Sequence, residues 1–314
     1  MTILGSALRG VGSVLGAYRV LLGLWLANLL FAGPFAVQIG LSIHSSVGSS
    51  LVQEKLRRGF DMGWFGEYKE AAKGIETSFG PTVTGATAFY DNLEDWLTGR
   101  LFVEHPLLVG AGALYCILWI FLLGGVLDRF ARPAESAVRA RVAQACGLYF
   151  FRFVRLALIA GVLYGAIFWL ERWLLGLVEG WTRDATGEWT VLSASLAVYL
   201  PAVLLILFVN MVLSYAKIAT VVENRSGMLL AAWRGARFAL AFPRRTFGLY
   251  FGLLAVGGVM LLVYALIAPG PLQASPFGIG WAFLVGQAYL LAKLILRLTL
   301  LGGETALFQS LAPR

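Results

Sequence analysis

The sequence predicts an all-α, polytopic membrane protein with six transmembrane helices, both termini in the cytoplasm and an extracytoplasmic cap of amphipathic helices. The amino-acid composition predicts a membrane protein. Of the 314 residues, 59% are apolar or aromatic and 13% are charged, whereas about 25% of a soluble domain is charged. Such a chain has too little polar surface to cover a water-soluble globule. Long apolar stretches and an uneven distribution of charge carry the rest.

Six stretches are long enough and apolar enough to cross the membrane. A helix that spans a hydrocarbon core of about 30 Å needs about 20 mostly apolar residues. The predicted spans cover 20–43, 106–127, 153–170, 191–215, 247–268 and 279–301. Together they indicate a single membrane domain over residues 1–314.

Charge alternates between the segments that separate the spans, and this alternation predicts their orientation. Segments on the N-terminal side carry 17 Lys and Arg against 4 acidic residues, and the opposite side carries 8 against 13. Because cytoplasmic loops attract Lys and Arg, we expect both termini in the cytoplasm. The 20 Arg against 5 Lys are typical of a GC-rich bacterium, so we expect the bacterial inner membrane.

The connecting segments have helical patterns of their own. In the long extracytoplasmic segment, 44–105, Phe89, Leu93 and Trp96 recur at helical spacing, which indicates an amphipathic helix. We expect two or three such helices to cap the bundle or to lie on the membrane surface. The cytoplasmic loops, 128–152 and 217–245, are basic and are also predicted to be helical.

Basic side chains on the cytoplasmic side are the candidate ligand contacts, because such segments attract anionic lipid by about 1 kcal/mol per charge. Lys293 and Arg297 lie four residues apart in the last span, on one face of a helix. The candidate lipid or anion contacts are Arg139, Arg141, Arg234, Arg237, Lys293 and Arg297. Two alternatives stay open: the arginines only fix the orientation, and the two basic residues of the last span only extend to the headgroups.

Few other ionisable residues lie in or near the predicted spans. Asp128, Glu223 and Glu304 are candidate counter-ions for the two basic residues of the last span, and the sequence does not choose among them. Glu171 follows directly on the third predicted span. We therefore expect its carboxylate at the outer membrane interface.

Small residues at a spacing of four predict close helix packing. Gly161 and Gly165 lie in the third predicted span, and Gly248 and Gly252 lie in the fifth. Pairs of this kind let two helices approach closely within a membrane. We expect these contacts inside one six-helix bundle, and a dimer interface is the alternative.

The sequence contains none of the catalytic motifs that depend on a fixed residue spacing, such as G-x-S-x-G, H-E-x-x-H, a Walker loop or C-x-x-C. His44 and His105 bracket the long extracytoplasmic segment, but a zinc site needs three or four ligands. We therefore expect a protein that is not an enzyme and that has no cofactor, no metal site and no nucleic-acid partner.

Two features carry a resemblance to a known family. One is the Gly-Gly pair at the inner end of the second predicted span, which ends at Gly125. Leu-Leu-Gly-Gly recurs at the end of the sixth span, at Gly303, a repetition that we attribute to the abundance of both residue types and not to duplicated hairpins. A basic amphipathic stretch, 216–227 and 231–237, follows the fourth span. With six spans and a long first outer loop, this layout resembles YciC-type bacterial inner-membrane proteins and the membrane domain attached to some glycerophosphodiester phosphodiesterases. The resemblance implies a role in envelope or lipid homeostasis and no catalytic residue, because the catalytic domain of those enzymes is a separate soluble one.

The sequence favours a non-enzymatic accessory, scaffold or lipid-interacting protein of the inner membrane. Its expected partners are membrane lipids, anionic ones among them, and a second membrane protein or a second copy of the chain. A small permease or transporter component is the alternative, favoured if Pro34 and Pro201 break their spans around a polar cavity that reaches Lys293. An intramembrane enzyme would need clustered Glu, His or Asp, which the chain barely has.

Overall fold

The structure is a computed structural model that describes residues 2–48, 61–80, 87–99, 106–133, 139–183, 187–268 and 276–312. Within these ranges the chain forms ten α-helices and one 3-10 helix, Gly74–Ser78, and contains no strand. The α-helices in chain order are α1 Ile3–Gly16, α2 Tyr18–Val47, α3 Met62–Ala71, α4 Thr87–Leu97, α5 Pro106–Ala131, α6 Arg139–Thr182, α7 Glu188–Val222, α8 Met228–Ala241, α9 Pro243–Ile267 and α10 Pro276–Leu311. The predicted all-α class is confirmed.

Six of the helices, α2, α5, α6, α7, α9 and α10, are long and apolar enough to cross a membrane. They are the six predicted spans, and several extend well beyond the predicted boundaries. Helix α6 has 44 residues, about 66 Å at 1.5 Å per residue and twice the hydrocarbon thickness. Hydropathy finds only the apolar part of such a helix, because charged flanking residues that include no proline continue it. Most of the predicted loop 128–152 is therefore helix.

The long segment after α2 also contains helices within the described residues. The Asp61 carboxylate caps α3 by accepting backbone hydrogen bonds from Gly63 at 2.8 Å and Trp64 at 3.1 Å. The Trp64 indole N–H donates to the Ser46 hydroxyl of α2 at 3.1 Å. Helix α3 thus packs on the end of α2. The predicted amphipathic pattern around Leu93 is the helix α4.

The chain divides into two units. The first comprises residues 1–13, 119–251 and 299–314, and the second comprises 14–118 and 252–298. The core of the first unit lies along the second half of α7, where Met211, Tyr215 and Ile218 are fully buried.

Glycine lets helices of the first unit approach at backbone distance. A Cβ on Gly235 of α8 would lie 2.5 Å from the Val212 carbonyl oxygen and 2.8 Å from the Ala216 nitrogen, both in α7. A Cβ on Gly10 of α1 would lie 2.2 Å from the Thr299 carbonyl oxygen in α10. No larger residue fits these positions unless the backbones move apart.

The Leu-Leu-Gly-Gly repeats are packing sites of the same kind. A Cβ on Gly125 would lie 2.8 Å from the Val142 carbonyl oxygen in α6, and a Cβ on Gly303 would lie 3.0 Å from the Ser6 carbonyl oxygen in α1. The attribution of these repeats to composition alone misses this role. Each Gly-Gly pair holds the end of a span against a neighbouring helix.

The predicted packing glycines behave differently. In the described part of the chain, a Cβ on Gly161, Gly165 or Gly252 would meet no atom within 4 Å, and all three are exposed. Only Gly248 makes a contact, with the Ile3 side chain of α1. Within its own unit none of the other three contacts a neighbouring described helix, so their packing role stays a prediction, with a dimer interface as the alternative.

Replacing Gly235 with Ala tests the contact between α8 and α7. The added methyl group has no space, so we expect the free energy of unfolding to fall by about 1–3 kcal/mol, as for other overpacked interiors. Gly161→Ala is the matched control and should leave stability unchanged or slightly raised, because Ala favours a helix over Gly by about 1 kcal/mol. Denaturation by sodium dodecyl sulfate in mild detergent measures both. Equal effects of the two substitutions would contradict the packing described here.

Candidate functional site: the arginine-rich end of the first unit

The chain reverses sharply between α7 and α8. The Glu223 backbone N–H donates to the Ala219 carbonyl at 3.0 Å, and the Arg225 N–H donates to the Thr220 carbonyl at 3.1 Å. Between them Asn224 has a φ of 49°, in the left-handed region that Asn tolerates better than most residues. This turn ends α7 and directs α8 back along it.

Arginines from two other elements hold the turn. Arg152 of α6 donates to the Asn224 side-chain oxygen at 2.7 Å and to the Arg225 carbonyl at 3.2 Å. Arg132, which follows α5, donates to the Val221 carbonyl at 3.0 Å. We call Arg132, Arg152 and Arg234 the arginine clamp, because Arg234 holds the same turn from α8 through Glu223, at 3.1 Å.

Carboxylates compensate much of the charge of this end. Asp128, whose side chain is 4% exposed, pairs with Arg132 and lies 3.7 Å from Arg141. Burial would lower the pKa of Arg132, but the Tyr149 hydroxyl and the Asp128 carboxylate outweigh it and raise the pKa above its ordinary value. Glu223 pairs with both Arg225 and Arg234. The clamp is therefore a structural network of ion pairs and hydrogen bonds.

Exposed arginines lie beyond the clamp, where α8 turns into α9. Arg237, Arg244 and Arg245 are all exposed. The exposed face of α8 beside these arginines is apolar. Its four large side chains, which are between 61% and 74% exposed, are Leu229, Leu230, Trp233 and Leu240. We call these three arginines and four apolar residues the α8 surface.

Helix α8 exposes large apolar side chains that a helix on a soluble protein would bury. Its small residues Ala231, Gly235 and Ala239 are buried together with Met228 and Phe238, whereas its other large apolar side chains are exposed. Helix α1 repeats the pattern, with Ser6 and Gly10 buried and large residues such as Leu8 exposed. Soluble helices turn large apolar residues toward the core. Exposed apolar faces of this kind are typical of helices that lie in lipid.

The four predicted contact residues on α6 and α8 divide into three groups. Arg141 lies 3.7 Å from Asp128 and Arg234 pairs with Glu223, and their contact with lipid stays a prediction. Arg237 is exposed, as a lipid contact requires. The side chain of Arg139 lies outside the described residues.

The two basic residues of α10 belong to the second unit. Lys293 and Arg297 are exposed on the same face of the helix. Arg297 interacts electrostatically with Tyr115 and Cys116 of α5. Two of their candidate counter-ions, Asp128 and Glu223, pair with arginines of the first unit, and the pairing with Lys293 or Arg297 stays a prediction.

Glu304 is a buried carboxylate that sequence reasoning treated only as a counter-ion. It is fully buried in the first unit, where it accepts a hydrogen bond from the Ser214 hydroxyl of α7. Within the described residues its other oxygen has no hydrogen-bond donor, and the same holds for the buried hydroxyl of Tyr215. One feature of the sequence could have indicated that Glu304 is buried. Glu304 directly follows Gly302-Gly303, the glycine pair at which α10 packs closely against α1.

Metal chemistry does not identify the site. Within the described ranges no three His, Cys, Asp or Glu side chains could together hold a metal ion; His105 lies outside those ranges. No family model, curated protein or solved structure matches this chain. The function of the arginine-rich end is therefore inferred from its contacts, charges and exposed side chains.

A double-mutant cycle between Glu223→Gln and Arg234→Gln tests the clamp. Each side chain is 21% exposed, so we expect a coupling free energy of about 1 kcal/mol, at the upper end for exposed pairs. Arg237→Gln with Glu223→Gln is the matched control, and its coupling should be close to zero because Arg237 is exposed. Unfolding in detergent measures both cycles. Equal coupling of Glu223 to the two arginines would contradict the clamp.

Proposed function

We propose that this integral membrane protein is a non-enzymatic, lipid-interacting accessory protein of the bacterial inner membrane, and that its α8 surface binds anionic phospholipid at the cytoplasmic leaflet. The observation that carries the proposal is the α8 surface itself. Four large apolar side chains and three arginines are exposed side by side, a combination that neither water nor the lipid core solvates well.

A membrane interface solvates both parts of this surface. Leucine and tryptophan side chains insert between acyl chains, and tryptophan is enriched at the headgroup level. Arginine reaches lipid phosphates with a planar group that makes two parallel hydrogen bonds. The clamp supports the arrangement, because it fixes the turn from which α8 begins.

The charge pattern of the sequence supports the orientation in this proposal, and the family resemblance supports the role. The stretch that carries the resemblance, 216–227 and 231–237, contains the end of α7, the turn and half of α8. In this proposal the protein acts by holding anionic lipid, or by presenting it to a partner in the same membrane.

Removing the three exposed arginines tests lipid binding. In the variant Arg237→Gln, Arg244→Gln, Arg245→Gln we expect the preference for phosphatidylglycerol over phosphatidylcholine to fall by about fivefold per arginine, since each charge contributes about 1 kcal/mol near the surface. Native mass spectrometry of protein extracted from mixed bilayers measures the retained lipid. The clamp is intact in this variant, so its fold should be unchanged.

Arg183→Gln is the control, because Arg183 is exposed near the opposite end of α6. It should retain the full phosphatidylglycerol preference. An unchanged preference in the triple variant would overturn the proposal, and an equal loss in the control would assign the preference to net charge instead of to the α8 surface.

A further inference from the structure

A groove of about 330 Å³ lies between α2 and α5 in the second unit, and nine residues of α2, α5 and the 3-10 helix line it. We call it the α2–α5 groove. Its aromatic wall consists of Phe31, Phe35 and Tyr115. Its small residues include Ala32 and Gly112. Both α2 and α5 are long and apolar enough to cross a membrane, so the groove lies between two spans.

Contacts within the protein hold the aromatic wall in place. The centroid of the Phe31 ring lies 5.5 Å from that of Phe35 and 5.3 Å from that of Tyr115, at tilted angles, within the range of favourable aromatic pairs. The Tyr115 hydroxyl donates to the Asn28 side-chain oxygen at 2.6 Å, and the Asn28 amide donates to the Leu24 carbonyl at 2.7 Å. The wall is therefore preorganised for a ligand.

The two polar side chains that line the groove are hydrogen-bonded within the protein. One is Tyr115, and the other is Ser78 of the 3-10 helix, whose hydroxyl donates to the Ile75 carbonyl at 2.6 Å. The other seven lining residues are apolar or glycine. A polar ligand would give up its hydrogen bonds to water and gain none from apolar side chains. The lining therefore selects an apolar ligand.

The groove is continuous with the outer surface of the two spans. Ala32 and Gly112 line it and are exposed, and a Cβ on Gly112 would meet no atom of the described chain within 4 Å. Ile75 of the 3-10 helix also lines the groove and is buried, so the groove is covered on that side. In a membrane, the exposed surface of a span is surrounded by acyl chains. Acyl chains are therefore what the open side of the groove meets.

The dimensions of the groove fit a single acyl chain. An engineered protein cavity of about 150 Å³ holds one benzene molecule, so 330 Å³ accommodates about thirteen non-hydrogen atoms at the same density. The lining residues of α2 extend from Phe31 to Ile39, about 12 Å along the helix axis at 1.5 Å per residue. The space is long and narrow, as one hydrocarbon chain is, and too small for both chains of a phospholipid.

We propose that the α2–α5 groove binds one acyl chain of a membrane phospholipid, which enters past Ala32 and Gly112 and packs against the aromatic wall. The second chain and the headgroup of this lipid stay in the bilayer. The bound chain joins α2 to α5 and is a structural part of the second unit. The proposal is independent of the α8 surface, because the groove lies in the other unit and recognises a hydrocarbon chain instead of headgroup charge.

Retention of phosphatidylcholine by the full chain tests the proposal. The parent protein carries Arg237→Gln, Arg244→Gln and Arg245→Gln, so that the α8 surface holds little lipid of its own. It is reconstituted in phosphatidylcholine bilayers and extracted with a steroid-based detergent, whose rigid rings do not fit the groove. Native mass spectrometry should show one retained phosphatidylcholine per chain.

Two leucine substitutions in this parent separate the groove from the rest of α5. Gly112→Leu should reduce the occupancy of the retained lipid about tenfold, because the leucine side chain fills roughly a third of the groove. Gly110→Leu is the matched control. Gly110 is exposed on the same helix, has equal space around its Cβ and does not line the groove, so this variant should retain the lipid as the parent does.

Photo-crosslinking in the intact bilayer supplies a second measurement without detergent. Phosphatidylcholine with a diazirine near the end of one chain should label Phe35 and Tyr115 in the Gly110→Leu variant and label them about tenfold less in the Gly112→Leu variant, for the same loss of space. Equal lipid retention and equal labelling in the two variants would overturn the proposal. A dimer without bound lipid that only Gly112→Leu disrupts would also overturn it and would assign the groove to a second copy of the chain.

Discussion

The structure depends on one constraint: in lipid, an apolar side chain gains little by being buried, so helices must associate by close backbone approach and polar contacts. The first unit meets this constraint with glycine. Gly10, Gly125 and Gly235 each allow a neighbouring backbone to come within the distance that a methyl group would occupy. Large apolar side chains are then left on the outside, where acyl chains solvate them. The exposed apolar side chains of α1 and α8 agree with this.

The same constraint explains why the arginine-rich end is ordered by ion pairs. Where helices leave the hydrocarbon, backbone carbonyls at their ends need donors, and arginine supplies several from one side chain. Arg132 and Arg152 bind the carbonyls of Val221 and Arg225. Asp128 and Glu223 in turn compensate arginine charge. The arginines that remain exposed, at the corner between α8 and α9, are those that can act on something outside the protein.

The sequence predicts the class of fold and the six spans because both depend on sums over many residues, hydropathy and charge. It predicts individual contacts poorly, because a contact depends on which face of a helix meets a neighbour. Gly161 and Gly165 have the expected spacing but lie on an uncovered face, whereas Gly125 and Gly303 make the contacts. Likewise, only the fold shows that Arg234 faces Glu223 and that Glu171 faces a cavity.

Accessibility of spin labels tests most directly whether lipid solvates the large exposed side chains. Single cysteines at Leu8 and Leu230, which are 61% and 64% exposed, would be labelled in a background without Cys116 and Cys146. If acyl chains surround them, relaxation by oxygen, which concentrates in lipid, will exceed relaxation by a water-soluble nickel chelate. Greater relaxation by the nickel chelate at both positions would place these faces in water and contradict the account.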